Sequence, residues 1–243
     1  MAATDVGRRL TEEHRRAQVA LTARTVGRLI LVGRLLTPGT LGDPAVWETA
    51  ALAVVRADRR RSAALAAAYL TRFRAAERGV AAAAPVMDAA DIPAGRARAA
   101  LQLVGPVAAK ARIARGVPPE TAVEQSRVGA ARAGMRQVAD GGRGVLTDTV
   151  AADPQADGWF RVTDSGPCAF CALLASRGLY RSEDSGDFQA HDGCNCGVEP
   201  RYRRDAEWPG RAREFAAEYR RATAATPGVP PLIAFRRAHE GRG

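Results

Sequence analysis

The sequence predicts a mainly α-helical protein, with an N-terminal helical bundle or long helical hairpins, a small α+β module, and a C-terminal helix with a basic tail. Apolar residues recur at helical spacing through most of residues 1–150. After Asp157 the chain changes to short apolar runs between Gly, Pro and Asp turns. All four cysteines lie in this second part. We therefore divide the chain into residues 1–150, 151–205 and 206–243.

The first predicted helix follows a capping signal near the N-terminus. Thr11 can cap a helix whose first turn carries Glu12 and Glu13, and acidic side chains are favourable at the positive end of the helix dipole. The apolar spacing continues until Pro38-Gly39, where we expect the helix to be broken.

A second, longer helix is predicted from Asp43-Pro44, where a capping carboxylate precedes a proline, to Gly79. With about 35 residues it would be ~50 Å long. Four arginines interrupt its apolar stripe. An arginine run is commonly a solvated face, yet this one is our first choice for a polyanion contact. Its members are Arg56, Arg59, Arg60 and Arg61.

Two further helices complete the N-terminal region. Residues 80–95 have the composition of a hinge. We expect a third helix from about Arg96 to Arg115, with a kink at Pro106. A fourth should open at Pro118-Pro119 and end at the Gly141-Gly142 pair.

The segments after residue 157 are predicted to be short. Residues 159–162 form a strand candidate, residues 169–176 a brief helix ended by Gly178, and residues 194–199 a knuckle that continues into a strand. Another helix follows the module, and we expect the basic tail from Leu232 to be disordered by itself, with a docking peptide as the alternative.

The charge of the chain is uneven. The net charge is +10, with 23 basic and 13 acidic side chains in residues 1–150 and 13 of each in residues 151–243. This asymmetry favours a polyanionic partner, either nucleic acid or an acidic protein surface. An arginine-rich usage with Lys110 as the only lysine is equally consistent with a GC-rich genome. No stretch approaches the roughly 20 apolar residues of a membrane span, so we expect no membrane partner.

The cysteines have the spacing of a zinc site, with a Cys-x-x-Cys pair followed by His-x-x-Cys-x-Cys. Zn²⁺ takes four tetrahedral ligands, so one of five candidates is spare, and the spacing does not choose between the last two cysteines. A module this small buries little apolar area, and we predict that a structural Zn²⁺ staples it. The candidate ligands are Cys168, Cys171, His191, Cys194 and Cys196.

Other interpretations of the cysteines are weaker. Disulfides are disfavoured because the N-terminus lacks a signal peptide, and a thioredoxin-type motif would need a βαβ context. Pro167 and the Cys-x-x-Cys after it match half of the zinc nucleobase deaminase motif. That chemistry also needs an upstream His-x-Glu, whereas His14 is followed by Arg15 and Arg16. We therefore predict a closed structural site and no enzymatic activity.

Three motifs together resemble one known family. They are Gly158-Trp-Phe-Arg-Val162, the Cys-x-x-Cys stretch that continues through Ser-Arg-Gly to Tyr180, and His191-x-x-Cys-x-Cys. This combination resembles the phage Mu F-like minor head proteins, in the versions found in actinobacteriophages and their prophages. The similarity covers residues 158–202, and Asp192 stands where the family has proline.

The resemblance implies a capsid morphogenesis protein of the virion, in the head interior or at the portal, with the host cytoplasm as the site of assembly. Its implied partners are the portal, other head or scaffold proteins, and possibly phage DNA through phosphate contacts. Some family members are called proteases. Here His14 and His239 lie in terminal segments and no serine lies in a Gly-x-Ser-x-Gly elbow, which argues against proteolysis. A zinc-dependent enzyme acting on nucleic acid and a DNA-binding regulator are the alternatives, the latter without a recognition-helix pattern.

Overall fold

Eight helices and one three-stranded sheet make up the part of the chain that the computed structural model describes, which is residues 2–79, 94–164, 166–181 and 188–241. In chain order they are α1 (Asp5–Gly33), α2 (Ala45–Arg78), α3 (Ala94–Gln102), α4 (Ala108–Ile113), α5 (Pro119–Ala152), β1 (Gly158–Val162), α6 (Ala169–Ala175), β2 (Leu179–Tyr180), β3 (Gly197–Arg201), α7 (Ala212–Ala225) and α8 (Pro231–His239). The predicted mainly helical fold class is confirmed. Of the predicted hinge at residues 80–95, residues 80–93 lie outside the part of the chain that the structure describes.

Three long helices, α1, α2 and α5, pack against one another and form the core of the molecule. One buried apolar cluster surrounds Trp47 at one end of this bundle. A second surrounds Phe73, and Trp159 of β1 and Val198 of β3 belong to it. The sheet is therefore anchored on the apolar core of the bundle. None of the described helices is long and apolar enough to cross a membrane.

Helix α1 begins earlier than the sequence predicted. Its N-cap is Thr4, whose hydroxyl oxygen accepts a hydrogen bond from the amide of Gly7 at 2.9 Å. Thr11 lies inside the helix, and its hydroxyl is 2.9 Å from that of Tyr69 on α2. The predicted cap at Thr11 was wrong because the helix already begins at Asp5, and the Thr11 hydroxyl contacts a second helix instead.

The second and third predicted helices are confirmed. Helix α2 starts directly after Pro44 and stops before Gly79, whose φ of 69° ends it in the left-handed region. The third predicted helix is divided into α3 and α4 by a π-helical turn at Leu103–Val107. Pro106 lies in that turn and explains the kink, since proline cannot donate the backbone hydrogen bond of a regular helix.

Helix α5 does not end at the glycine pair, which corrects the prediction. It continues through Gly141 and Gly142 to Ala152. A Cβ atom on Gly142 would lie 2.8 Å from the hydroxyl of Ser62 and 2.7 Å from the amide nitrogen of Gln18. The glycine is needed because α5 approaches α1 and α2 too closely there for a side chain.

The sheet has the order β2-β1-β3 and is antiparallel throughout. Trp159 of the central strand is paired with Tyr180 of β2 and with Pro200 of β3. The rings of Trp159 and Tyr180 stack with their centroids 4.2 Å apart. In the sequence, helix α6 comes between β1 and β2. It ends before Gly178, as predicted.

The expectation of a disordered tail was wrong as far as residue 239. Helix α8 packs on α6 and α7, and Phe235 is buried between them. Nε2 of His239 is 2.9 Å from the carbonyl oxygen of Pro167, and Nδ1 is 3.1 Å from the carboxylate of Glu218. The segment is ordered because Phe235 anchors it and His239 makes one polar contact with the module, at Pro167, and one with α7, at Glu218.

Candidate metal centre

Four thiols and one imidazole converge between α6 and the turn that precedes β3. Helix α6 supplies Cys168, which is its N-cap, and Cys171 in its first turn. The turn supplies His191, Cys194 and Cys196. The ligand atoms form two groups, each within 4.8 Å: Cys168, Cys171 and His191, and Cys171, Cys194 and Cys196. The structure thus brings together all five residues of the predicted ligand set.

Three separations inside the cluster are close to the edges of a tetrahedral zinc site. Bonds of ~2.3 Å to sulfur and ~2.0 Å to nitrogen place two sulfurs about 3.8 Å apart and a sulfur and a nitrogen about 3.5 Å apart. Nε2 of His191 lies 3.2 Å from Sγ of Cys168 and 3.4 Å from Sγ of Cys171. Sγ of Cys171 lies 3.6 Å from Sγ of Cys194. Cys171 is therefore the common member of both groups.

The orientation of the imidazole suits a metal ligand. Nδ1 of His191 lies 3.0 Å from the carbonyl oxygen of Asp192, which can only accept a hydrogen bond. Nδ1 must then carry the proton, and the lone pair of Nε2 faces the thiols. A second hydrogen bond of this kind fixes the tautomer in metal-bound histidines.

All four cysteines are free thiols, so the structure contains no disulfide at this site. The hydrogen bond with Cys194, followed by that with Cys196, raises the pKa of Cys171 well above its usual range. The same contact with Cys171 lowers the pKa of Cys194. Thiols packed this closely lose their protons together only when a cation compensates the charge, as a bound divalent metal does.

Arg143 of α5 holds the backbone of the ligand-bearing turn. Its Nε donates to the carbonyl oxygen of Cys196 at 2.9 Å, and its Nη2 donates to that of Cys194 at 2.7 Å. The third nitrogen, Nη1, is 2.7 Å from the carboxylate of Asp140. Sequence reasoning missed Arg143, and in an arginine-rich helix no local signal distinguishes it.

The same helix also contacts the turn around His191. Nε of Arg136 is 2.9 Å from the Asp192 carboxylate, and Nη2 of Arg132 donates to the Asp192 carbonyl oxygen at 3.4 Å. Arg132 and Arg136 are one helical turn apart and face the same side. Asp192, which departs from the proline of the Mu F-like motif, thus forms an ion pair with α5.

The predicted polyanion-contact residues lie on α2. Nη1 of Arg59 donates to the carbonyl oxygen of Gln137 at 2.9 Å, so this side chain packs against α5. The other three are exposed, and they are Arg56, Arg60 and Arg61. Arg61 shares the buried carboxylate of Asp58 with Arg28 of α1, at 2.7 and 2.9 Å. Arg28 is a basic neighbour that only the packing of α1 on α2 reveals.

Comparison with known proteins gives one match. The model of a family described as VG15 protein matches residues 5–222, which include the bundle and the candidate metal centre. No curated protein and no solved structure matches the chain.

Proposed function

The chain belongs to the VG15 protein family, a family of phage proteins, and from that premise we propose that it is a non-enzymatic minor head protein of capsid morphogenesis. The prediction of a phage protein is confirmed, while membership of the Mu F-like family stays a prediction supported by the motifs in residues 158–202. We propose that the protein assembles with the portal and other head or scaffold proteins in the host cytoplasm and remains in the virion.

The observation that carries a structural role is the convergence of five metal-competent side chains in two groups of three that share Cys171. Five soft ligands crowd a site that needs four. A catalytic zinc would need an open position for water and a fixed carboxylate within hydrogen-bond reach. The carboxylate of Asp192, next to the His191 ligand in sequence, is instead engaged by Arg136. The cluster therefore supports a metal that stabilises the fold.

The proposed occupant is one Zn²⁺ held by Cys168, Cys171, His191 and Cys194. The separations of 3.2, 3.4 and 3.6 Å are close to three of the six edges of a zinc tetrahedron, and Cys194 joins the other two ligands through Cys171. Cys196 belongs to the same group as Cys171 and Cys194, and we assign it as the neighbouring spare thiol. When bound, the metal supplies folding free energy to a module with a small apolar core.

Metal analysis of the full-length protein tests this ligand set. We expect one equivalent of zinc in the purified protein and a loss of zinc in the Cys168→Ser, Cys171→Ser and Cys194→Ser variants. Cys196→Ser is the matched control, because it removes a buried thiol from the same cluster and should retain the metal. Full retention of zinc by both Cys168→Ser and Cys171→Ser would contradict the proposal.

The proposed role in the head is tested on virions. Mass spectrometry of purified particles should detect the protein at a low copy number, and the full-length protein should capture the cognate portal protein. Particles without it would contradict a virion role. Nuclease, deaminase or peptidase turnover by the zinc-loaded protein, lost in Asp192→Ala at constant zinc content, would contradict a non-enzymatic role.

A second candidate function, contact with phage DNA, is favoured by the exposed arginines on α2. The whole net charge of +10 resides in residues 1–150, and Arg56 and Arg60 are exposed there. We expect the full-length protein to bind duplex DNA without sequence preference, and log K to fall with log salt by about 0.9 per phosphate contacted.

A double substitution, Arg56→Gln with Arg60→Gln, should reduce that slope. The matched control is Arg220→Gln with Arg221→Gln, which removes the same charge from exposed positions of α7. Equal effects of the two pairs, or binding that does not depend on salt, would count against a DNA site on α2.

A further inference from the structure

Two arginines from different elements of the fold are buried beside the candidate metal centre. Arg143 lies on α5 and is 4% exposed, and Arg161 lies on β1 and is 2% exposed. A buried guanidinium group is costly unless hydrogen bonds and an opposite charge compensate it. The reason for placing two such groups here must therefore be sought in their surroundings.

The hydrogen bonds of Arg161 leave most of its charge uncompensated. Its Nη2 donates to the carbonyl oxygen of Gln189 at 2.5 Å. Its Nε and Nη1 are buried and have no acceptor in hydrogen-bonding geometry among the described residues. No carboxylate forms an ion pair with Arg161 in the described part of the chain. Arg143 has Asp140 as an ion-pair partner, but the Asp140 side chain is 38% exposed and loses part of its effect to solvent.

Phe188 connects the two arginines to the thiols. The Cζ atom of Arg161 is 3.9 Å from the centroid of the Phe188 ring, and that of Arg143 is 4.8 Å from it. The ring therefore binds both guanidinium groups through cation–π contacts. The same ring packs against the cluster of Cys171, Cys194 and Cys196. The two cations and the thiols thus share one apolar wall.

The arginines also bracket the chain segment that carries most of the ligands. Arg161 holds the carbonyl oxygen of Gln189, two residues before His191. Arg143 holds the carbonyl oxygens of Cys194 and Cys196. The path of the backbone through the imidazole and both late thiols is fixed by these three hydrogen bonds.

A metal–thiolate centre would supply the negative charge that these guanidinium groups lack. A zinc ion with three thiolates and one neutral imidazole has one net negative charge. We propose that Arg143 and Arg161 are positioning residues for the metal, which compensate the charge of the metal–thiolate centre and hold its ligand-bearing segment. This inference rests on the metal site proposed above. Metal affinity then depends on both guanidinium groups although neither is a ligand.

The two arginines should differ in what lysine can replace. Arg143 donates to two carbonyl oxygens and a carboxylate from one planar group, which a single ammonium group cannot reproduce. Arg161 donates to one backbone carbonyl oxygen, that of Gln189, and otherwise supplies charge. Lysine should therefore rescue position 161 better than position 143.

Cobalt titration of the full-length protein tests the proposal. Co²⁺ reports thiolate ligation by its absorption, and zinc affinity follows from competition with a chromophoric chelator. We expect Arg143→Met, Arg143→Lys and Arg161→Met to weaken zinc binding about 10–100-fold, as changes around metal ligands commonly do. We expect Arg161→Lys to remain near the unsubstituted protein.

Arg127 is the matched control, because it lies on the same helix and also donates from two nitrogens, Nε and Nη2, to a backbone carbonyl, that of Leu36. Arg127→Met should leave zinc affinity unchanged. The inference would be overturned if all four variants at positions 143 and 161 bound zinc as tightly as the unsubstituted protein. It would also be overturned if Arg127→Met weakened zinc binding as much as Arg143→Met does.

The lysine variants decide the matter if the methionine variants do not fold. In that case weaker zinc binding by Arg143→Lys, together with unchanged zinc binding by Arg161→Lys, supports the inference. Equal zinc affinity in the two lysine variants overturns it. An unsubstituted protein that binds neither cobalt nor zinc would instead contradict the metal site itself.

Discussion

Arg74 of α2 and Asp153, directly after α5, form a buried ion pair with 2.8 Å between Nε and Oδ2. The Arg74 and Asp153 side chains are 9% and 2% exposed. Nη2 of Arg74 also donates to the side-chain oxygen of Gln155 at 2.8 Å. The C-terminal part of α2 therefore holds the chain at the point where it leaves the bundle and enters the module.

Breaking this ion pair from one side should be costly. Arg74→Met leaves the carboxylate of Asp153 buried without its main counter-ion, and we expect the free energy of unfolding to fall by about 3–5 kcal/mol. Urea denaturation followed by circular dichroism measures the change. In the exposed pair of Arg203 and Asp205, where solvent screens the charges, Arg203→Met should have a much smaller effect on the free energy of unfolding. Similar decreases in the free energy of unfolding for the two substitutions would show that burial does not make the pair of Arg74 and Asp153 more important for stability.

The close approach at Gly142 gives a second prediction. Gly142→Ala forces a shift of Ser62 and Gln18 and should destabilise the protein by about 1–3 kcal/mol. Gly144→Ala is the control on the same helix, since the nearest atom to its Cβ would be a carboxylate oxygen of Asp148 at 3.9 Å. At that position alanine has a higher helix propensity than glycine, so Gly144→Ala should stabilise the protein by about 0.5–1 kcal/mol. Stabilisation by both substitutions would refute the close approach.

The third prediction concerns pH. Burial lowers the pKa of His14 to about 4, and its ring stacks on Tyr69 with centroids 4.5 Å apart. The unfolded chain, with a histidine pKa near 6.5, takes up the proton more readily, so stability is lost as the pH falls from about 6.5 towards 4. We expect a loss of about 1–2 kcal/mol between pH 7 and pH 5 from this group. In His14→Phe, which keeps the stacking, urea titrations should show a smaller loss, and an equal loss in both proteins would exclude His14 as the cause.

Metal removal gives the fourth prediction. A chelator should lower the melting temperature of the full-length protein because the module loses its metal-derived folding free energy. Hydrogen exchange should rise first in residues 158–201 and in α5 around Arg143, whose carbonyl acceptors lie in the released turn. The amides of α1 and α2 should stay protected. A uniform rise over the whole chain, or none, would be the contrary result.

Much of the candidate site was accessible from sequence. The Cys-x-x-Cys and His-x-x-Cys-x-Cys spacings predict the five residues that the structure brings together, because ligand spacing is a local property of a turn or a short helix. The residues that hold these ligands were not accessible. Arg143 lies 51 residues from Cys194 and 53 from Cys196, and nothing near it in the chain marks it as a partner of either.

By itself, the sequence predicted the helices of the N-terminal region, the strand candidates at residues 159–162 and 194–199, and the five Cys and His residues that the structure brings together, because apolar periodicity, proline and glycine breaks, and cysteine spacing act over a few residues. The tertiary structure alone decided that Gly142 lies inside a helix, that Thr11 contacts Tyr69 instead of capping α1, and that Phe235 orders the tail. Each of these depends on an atom from a distant segment. In the local sequence, a glycine indicates the end of a helix. Only the neighbouring helices show that the absence of a side chain at Gly142 allows close packing.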